Sequence, residues 1–133
     1  PPLTREDFEA YTFGDIGGVY LLRPDLGQLI AARQGRPATS KGAKDRGASV
    51  TAKVERINAQ WTGIQRDQIA RCAERARINP QHNGVIVLAI GKAKAEAVIE
   101  AVNQSLVNHL LIDQDLADAL IDQLSGRAPG SAP

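Results

Sequence analysis

The residues best placed for chemistry lie between Val85 and Lys94. A continuous apolar run, V-I-V-L-A-I, stops at Gly91, and Lys92 and Lys94 follow in what reads as the first turn of a helix. In open α/β sheets, ligands bind outside the carboxyl ends of the strands. A helix N-terminus at such a place presents unpaired backbone N–H groups and the positive end of the helix dipole, which suit a phosphate or a carboxylate. Two cations in a first turn oppose that dipole, and a bound anion removes the conflict. A pair of solvated lysines accounts for the same residues, and physics alone does not choose between the two.

The other reactive side chains form no constellation. His82, His109 and Cys72 are isolated from one another and lack metal-ligand spacing, so no metal is expected. His82 falls in a turn, His109 in a strand and Cys72 on the apolar stripe of a helix, where each reads as structural. Trp61, beside Gly63-Ile64, reads as a core or interface anchor. There is no catalytic triad, Walker A loop or dinucleotide-binding glycine pattern, and no cofactor is expected. Arg36, Lys41, Lys44 and Arg46 could meet nucleic-acid phosphates, but no aromatics interleave them, so a solvated loop is the simpler reading.

The elements that must position the junction follow from periodicity and punctuation. Residues 1–10 read as a lead-in without periodicity. Ile16 to Leu22 reads as a strand, after which Pro24 can open a helix carrying Leu26, Leu29 and Ile30 on one face. Gln34 to Ser49 reads as a basic flexible loop, rich in glycine and without an apolar period. Val50 to Ile57 fits helix or strand equally. Ile64 to Ile78 reads as a helix with Ile69, Cys72, Ala73 and Ala76 inward. After a turn at Pro80 to Gly84, Val85 to Ile90 reads as a strand covered on both faces. A helix with Ala95, Val98, Ile99, Val102 and Leu106 on one face comes next, then a strand over Leu106 to Ile112. Asp113 can cap a last helix with Leu116, Ala119, Leu120 and Leu124 inward. Residues 125–133 read as a disordered tail. This alternation predicts one α/β domain over 11–124, with a mostly parallel sheet and helices on both faces.

Composition sets the class. A chain of 133 residues with 43% hydrophobic and 23% charged residues suits one globular domain. The net charge of +1 gives no global attraction to nucleic acid or anionic membrane. The longest apolar run is far short of the roughly 20 residues that span a bilayer, so no membrane partner is expected. A single cysteine permits no internal disulfide and fits a reducing, cytoplasmic setting. The chain has no Met and opens Pro-Pro-Leu, which suggests a processed product or a piece of something longer.

Three ordered blocks carry a resemblance. G-V-I-V-L-A-I-G-K-A-K-A-E-A-V-I-E-A-V, followed by S-L-V-N-H-L-L-I-D-Q-D-L-A-D-A-L, resembles the end of the SorC/DeoR-type sugar-binding domain of bacterial transcriptional regulators. F-G-D-I-G-G-V-Y and R-I-N-A-Q-W-T-G-I resemble two upstream segments of that domain. The resemblance implies a Rossmann-like fold of the sugar-phosphate isomerase-like superfamily. It implies a non-enzymatic domain that senses a phosphorylated sugar in the cytoplasm, controls a helix-turn-helix outside this chain that binds DNA, and works as a homo-oligomer. The ligand-contacting positions of the family match Asp15 and Lys94, with Gly91 and Lys92 beside Lys94. Where the family carries Gly-Gly before the L-V-N strand, this chain has Gln104-Ser105, and Ile112 replaces a threonine. The alternatives are a sugar-phosphate isomerase-like enzyme with Asp15 as base, or an interaction module that kept the fold and lost the site.

Overall fold

A computed structural model describes residues 2–126. The chain is α/β and divides into two compact units, one up to Gln65 and one from Arg66 onward, where the sequence reads a single domain over 11–124. The tail expected over 125–133 lies outside the described residues from 127 on.

The first unit opens with α1 (Arg5–Tyr11), inside the stretch expected to be a lead-in. Thr4 and Asp7 form a capping box: each side chain takes the other residue's backbone N–H, at 3.2 and 3.0 Å. The bond from the Thr4 backbone N–H holds the Asp7 carboxyl below the usual carboxylate range. The strand expected at Ile16 to Leu22 is instead a hairpin, β1 (Thr12–Ile16) against β2 (Val19–Leu22). Gly17 and Gly18 both adopt positive φ, +58° and +90°, the requirement of a two-residue type I′ turn. Pro24 stands outside α2 (Leu26–Arg33), whose N-cap is Asp25.

Residues 41–49, expected to be loop, form the first half of the 20-residue helix α3 (Lys41–Gln60). Of the glycines that suggested a loop, Gly47 serves packing. A Cβ on Gly47 would lie 2.7 Å from the Gly27 backbone nitrogen, so α2 and α3 approach backbone to backbone at this pair. Around the crossing, Ala43, Val50 and Val54 join Tyr11, Leu26, Ile30 and Ala31 in one core.

The second unit holds α4 (Arg66–Ile78), β3 (Ile86–Ala89), a 3-10 turn (Lys92–Lys94), α5 (Ala95–Asn103), β4 (His109–Ile112) and α6 (Gln114–Leu124). Strands β3 and β4 pair in parallel, with Ile86 opposite His109 and Ala89 opposite Ile112. One side of this pair packs through Ala89 and Ile112 onto Ala95, Val98 and Leu116 of α5 and α6. Ser105 closes α5 at φ +59°, in the left-handed conformation for which the resembled segment supplies glycine.

The expected single, mostly parallel sheet with helices on both faces is therefore not what the described residues form. They hold two separate two-stranded sheets, one antiparallel and one parallel. The Gly17-Gly18 turn folds the first expected strand back on itself. Nor is β3 covered on both faces: Ile86 and Leu88 are 55% and 73% exposed, Ile90 just beyond it is 67% exposed, and Leu111 on β4 is 56% exposed. Cys72 is exposed as well, because α4 turns Ile69 and Ala73 inward and leaves Cys72 at the edge of the stripe. Among the described residues no helix is long and apolar enough to cross a membrane.

The close crossing of α2 and α3 sets an expected outcome. Gly47→Ala should destabilise the protein by about 1–3 kcal/mol, the usual cost of overpacking, although alanine is the better helix former. Thermal unfolding checks it; an unchanged or higher midpoint would show that the helices do not meet at this point.

Candidate functional site

The junction after β3 is built by one carboxylate. Asp113, the N-cap of α6, accepts the Leu116 N–H at 3.1 Å and the Gly91 N–H at 3.0 Å, both on Oδ1. Since Ala89 and Ile112 are parallel partners, this oxygen ties the carboxyl ends of both strands together. Gly91 has φ +91°, which side-chain-bearing residues rarely adopt, and nothing lies within 4 Å of where a Cβ would stand. The glycine is thus required by backbone conformation, and it leaves open space in front of the strand end. The Gly91 carbonyl accepts from the Lys94 N–H at 3.1 Å and closes the 3-10 turn.

Beside the junction lies an open cleft of about 650 Å³. Gly91, Lys92 and Ala93 form one wall, and Asp115, Asp118, Ala119 and Asp122 of α6 form the other. The α6 residues stand at i, i+3, i+4 and i+7, a single stripe along the helix. Asp118 also accepts from the Gln114 side-chain amide at 2.8 Å. The cleft lining thus holds one lysine and three aspartates. Such a cleft offers acceptors to a hydroxyl-bearing ligand and one cation to an oxyanion or hydroxyl.

Lys92 lines this cleft and Lys94 does not. A 3-10 turn advances about 120° per residue, so side chains two positions apart cannot share a direction. Asp15 belongs to the first unit, where its exposed carboxylate accepts the Gly18 N–H at 2.9 Å and closes the hairpin turn. That is the turn chemistry its sequence position allows. The aspartate stripe on α6 escaped the sequence reading, although the spacing D-x-x-D-x-x-x-D is visible in D-L-A-D-A-L-I-D.

The histidines stand apart: His82 is exposed in the turn before β3 and His109 is exposed on β4. Among the described residues no group of histidine, cysteine and acidic side chains could hold a metal ion. No protein-family model, curated protein or solved structure matches the chain.

Asp113→Ala removes both the cap of α6 and the tie to Gly91. The expected cost is about 1–2 kcal/mol, the upper part of the range for a lost N-cap. Asp113→Asn, which keeps an acceptor oxygen, should recover most of it. Chemical denaturation of the two variants checks this; equal losses would mean that the bonds at Oδ1 are not what stabilises the junction.

Proposed function

We propose that this chain is the ligand-sensing domain of a sugar-responsive transcriptional regulator. It binds a phosphorylated sugar in the cytoplasm and controls DNA binding by a helix-turn-helix outside this chain. On this reading β3, α5 and β4 are one βαβ unit of a Rossmann-like sheet, supported by the parallel register of the two strands. The observation that carries the reading is the cleft at the carboxyl ends of the parallel strands, opened by Gly91 and lined by Lys92 opposite three aspartates. Sugar hydroxyls donate to Asp115, Asp118 and Asp122, and Lys92 takes the phosphate. Lys94, singled out by the resemblance to the K-A-E-A-I segment, is a secondary contact at most.

Calorimetry with a panel of pentose and hexose phosphates tests this. Lys92→Ala should weaken binding by about 1.5–3 kcal/mol, the scale of a charge-assisted hydrogen bond. Lys94→Ala should weaken it less. Absence of heat with every member of the panel would end the proposal, and a larger effect at Lys94 would move the phosphate away from the cleft.

A second reading, an interaction module that assembles with further copies, is favoured by the open apolar face of β3 and β4. Three large aliphatic side chains more than half exposed on two adjacent strands, with Ile90 just beyond β3, are costly to leave in water. On that reading the protein is a homo-oligomer in solution, and Leu88→Glu shifts it toward monomer. Sedimentation across a concentration series measures this, and a wild-type chain monomeric throughout would dismiss the reading.

A further inference from the structure

A second cleft, at the opposite end of β3, fits a small anion. It has a volume of about 360 Å³ and lies between α4 and the turn that leads into β3. Its helical wall is Gln68, Arg71, Cys72 and Arg75, spaced i, i+3, i+4 and i+7 along a stripe of α4 beside the buried Ile69 and Ala73. The other wall is His82, Asn83 and Gly84. Among the described residues no acidic side chain lines it. Arg71 meets Asp67 at 3.4 Å, an exposed pair of the weak surface kind. Among the described residues Arg75 has no carboxylate partner, whereas Arg77 on the same helix pairs with Glu74 at 3.1 Å.

The walls are held at a fixed spacing. The Asn79 N–H donates to the Arg75 carbonyl at 2.9 Å, and the His82 N–H donates to the Asn79 carbonyl at 3.0 Å. At the far end of the turn, Asn108 accepts the Val85 N–H at 2.8 Å and donates to the Ala73 carbonyl at 3.1 Å. Gly84 sits at φ +74°, and a Cβ there would come within 2.6 Å of the Ala76 Cβ, so the turn lies directly against the helix. Two guanidinium groups one helical turn apart, with the His82 imidazole and the Asn83 amide beside them, present donors and, among the described residues, no lining carboxylate to whatever enters.

We propose that this cleft binds the phosphate group of a small phosphomonoester. Arg75 supplies the primary charge-assisted contact, Arg71 a second, and His82 and Asn83 hydrogen bonds from the turn. The guanidinium fork matches the geometry of two phosphate oxygens. The concave shape selects a small molecule over a nucleic-acid backbone, which needs an extended basic track. The site lies at the amino end of β3 and shares no residue with the Lys92 cleft, so it stands or falls independently of the sugar-sensing reading.

Cys72 reports on occupancy, because it is the sole cysteine of the chain and lines this cleft. The rate of its alkylation by iodoacetamide, measured on the full chain, should fall severalfold with inorganic phosphate and reach a plateau. Chloride at matched ionic strength should leave the rate unchanged. Arg75→Gln should raise the half-saturating phosphate concentration about tenfold, the scale of one lost charge-assisted bond. Arg77→Gln, which removes the same charge from the same helix outside the cleft, should leave it within about twofold. Circular dichroism confirms that each variant is folded. Arg71→Gln replaces Arg75→Gln if the latter is not, with the same direction expected. Equal protection by phosphate and chloride overturns the proposal. So does an equal effect of Arg75→Gln and Arg77→Gln, or protection by a short DNA duplex where inorganic phosphate gives none.

Discussion

The side chain of Asn108 is the interaction on which the second unit depends. A carboxamide can accept and donate at once, and here it joins three segments far apart in sequence. Its oxygen accepts the N–H of Val85 at the entrance to β3, and its nitrogen donates to the carbonyl of Ala73 in the middle of α4. Its own backbone N–H donates to the Val85 carbonyl at 3.0 Å, just before β4 begins. Each bond contributes about 1 kcal/mol, and leaving the partners unpaired in a part-buried place would cost more than that. Glycine at position 84 follows from the same contact, since a Cβ there would stand 2.6 Å from the Asn108 Cγ. The helix, the turn and the start of the parallel pair are therefore fixed by one residue.

Asn58 does the corresponding work in the first unit. Its carboxamide accepts the Tyr20 N–H at 2.9 Å and donates to the Tyr20 carbonyl at 3.0 Å, taking both polar groups of one residue of β2. A carboxamide copies the donor–acceptor pair of a neighbouring strand. Two-stranded sheets have only edges, and unpaired edge groups invite other chains to add to them. In each unit an asparagine supplies a substitute partner to the backbone beside a strand. Trp61 adds to the first case: its ring covers Gly18 and Gly63, where any Cβ would collide with it, and so seals the tip of the hairpin.

What could be read in advance was what local sequence determines. Helix α4, the Pro80 to Gly84 turn, β3, α5 and α6 were all legible, and so was the Asp113 cap, because period, glycine and capping residue agree there. Three features were hidden for three physical reasons. Gly42 and Gly47 lower helix propensity, but the gain from bringing α3 against Gly27 is tertiary and invisible in a local window. Ile16 to Val19 reads as continuous β structure until both glycines are given positive φ, after which it is the reversal of a hairpin. Cys72 stands at the margin of an apolar stripe whose centre is Ile69 and Ala73, and a small rotation of α4 decides whether it is inside. At the candidate site Gly91 was legible from its type and place. Whether Lys92 or Lys94 faces the cleft was not, because it depends on a 3-10 turn standing where a regular first helical turn was expected.

The same turn changes the electrostatics of the junction. A helix N-terminus flanked by two lysines suggests a site for an anion alone, but α6 brings Asp115, Asp118 and Asp122 to the opposite wall. Two like charges 4 Å apart repel by about 4 kcal/mol in the effective dielectric of a protein surface, more than the gain from one charge-assisted hydrogen bond. A dianion between the walls would therefore meet repulsion from α6. A ligand accepted there must turn hydroxyls toward α6 and keep its charge on the side of Lys92. On the proposed reading, that division of polarity disfavours a bare oxyanion in the Lys92 cleft and favours molecules that carry both kinds of group. In the Arg75 cleft no carboxylate lines the wall, and a bare oxyanion meets no such penalty. The two ends of β3 thus differ in the charges that line them, and the difference comes from which face of a neighbouring helix meets each end.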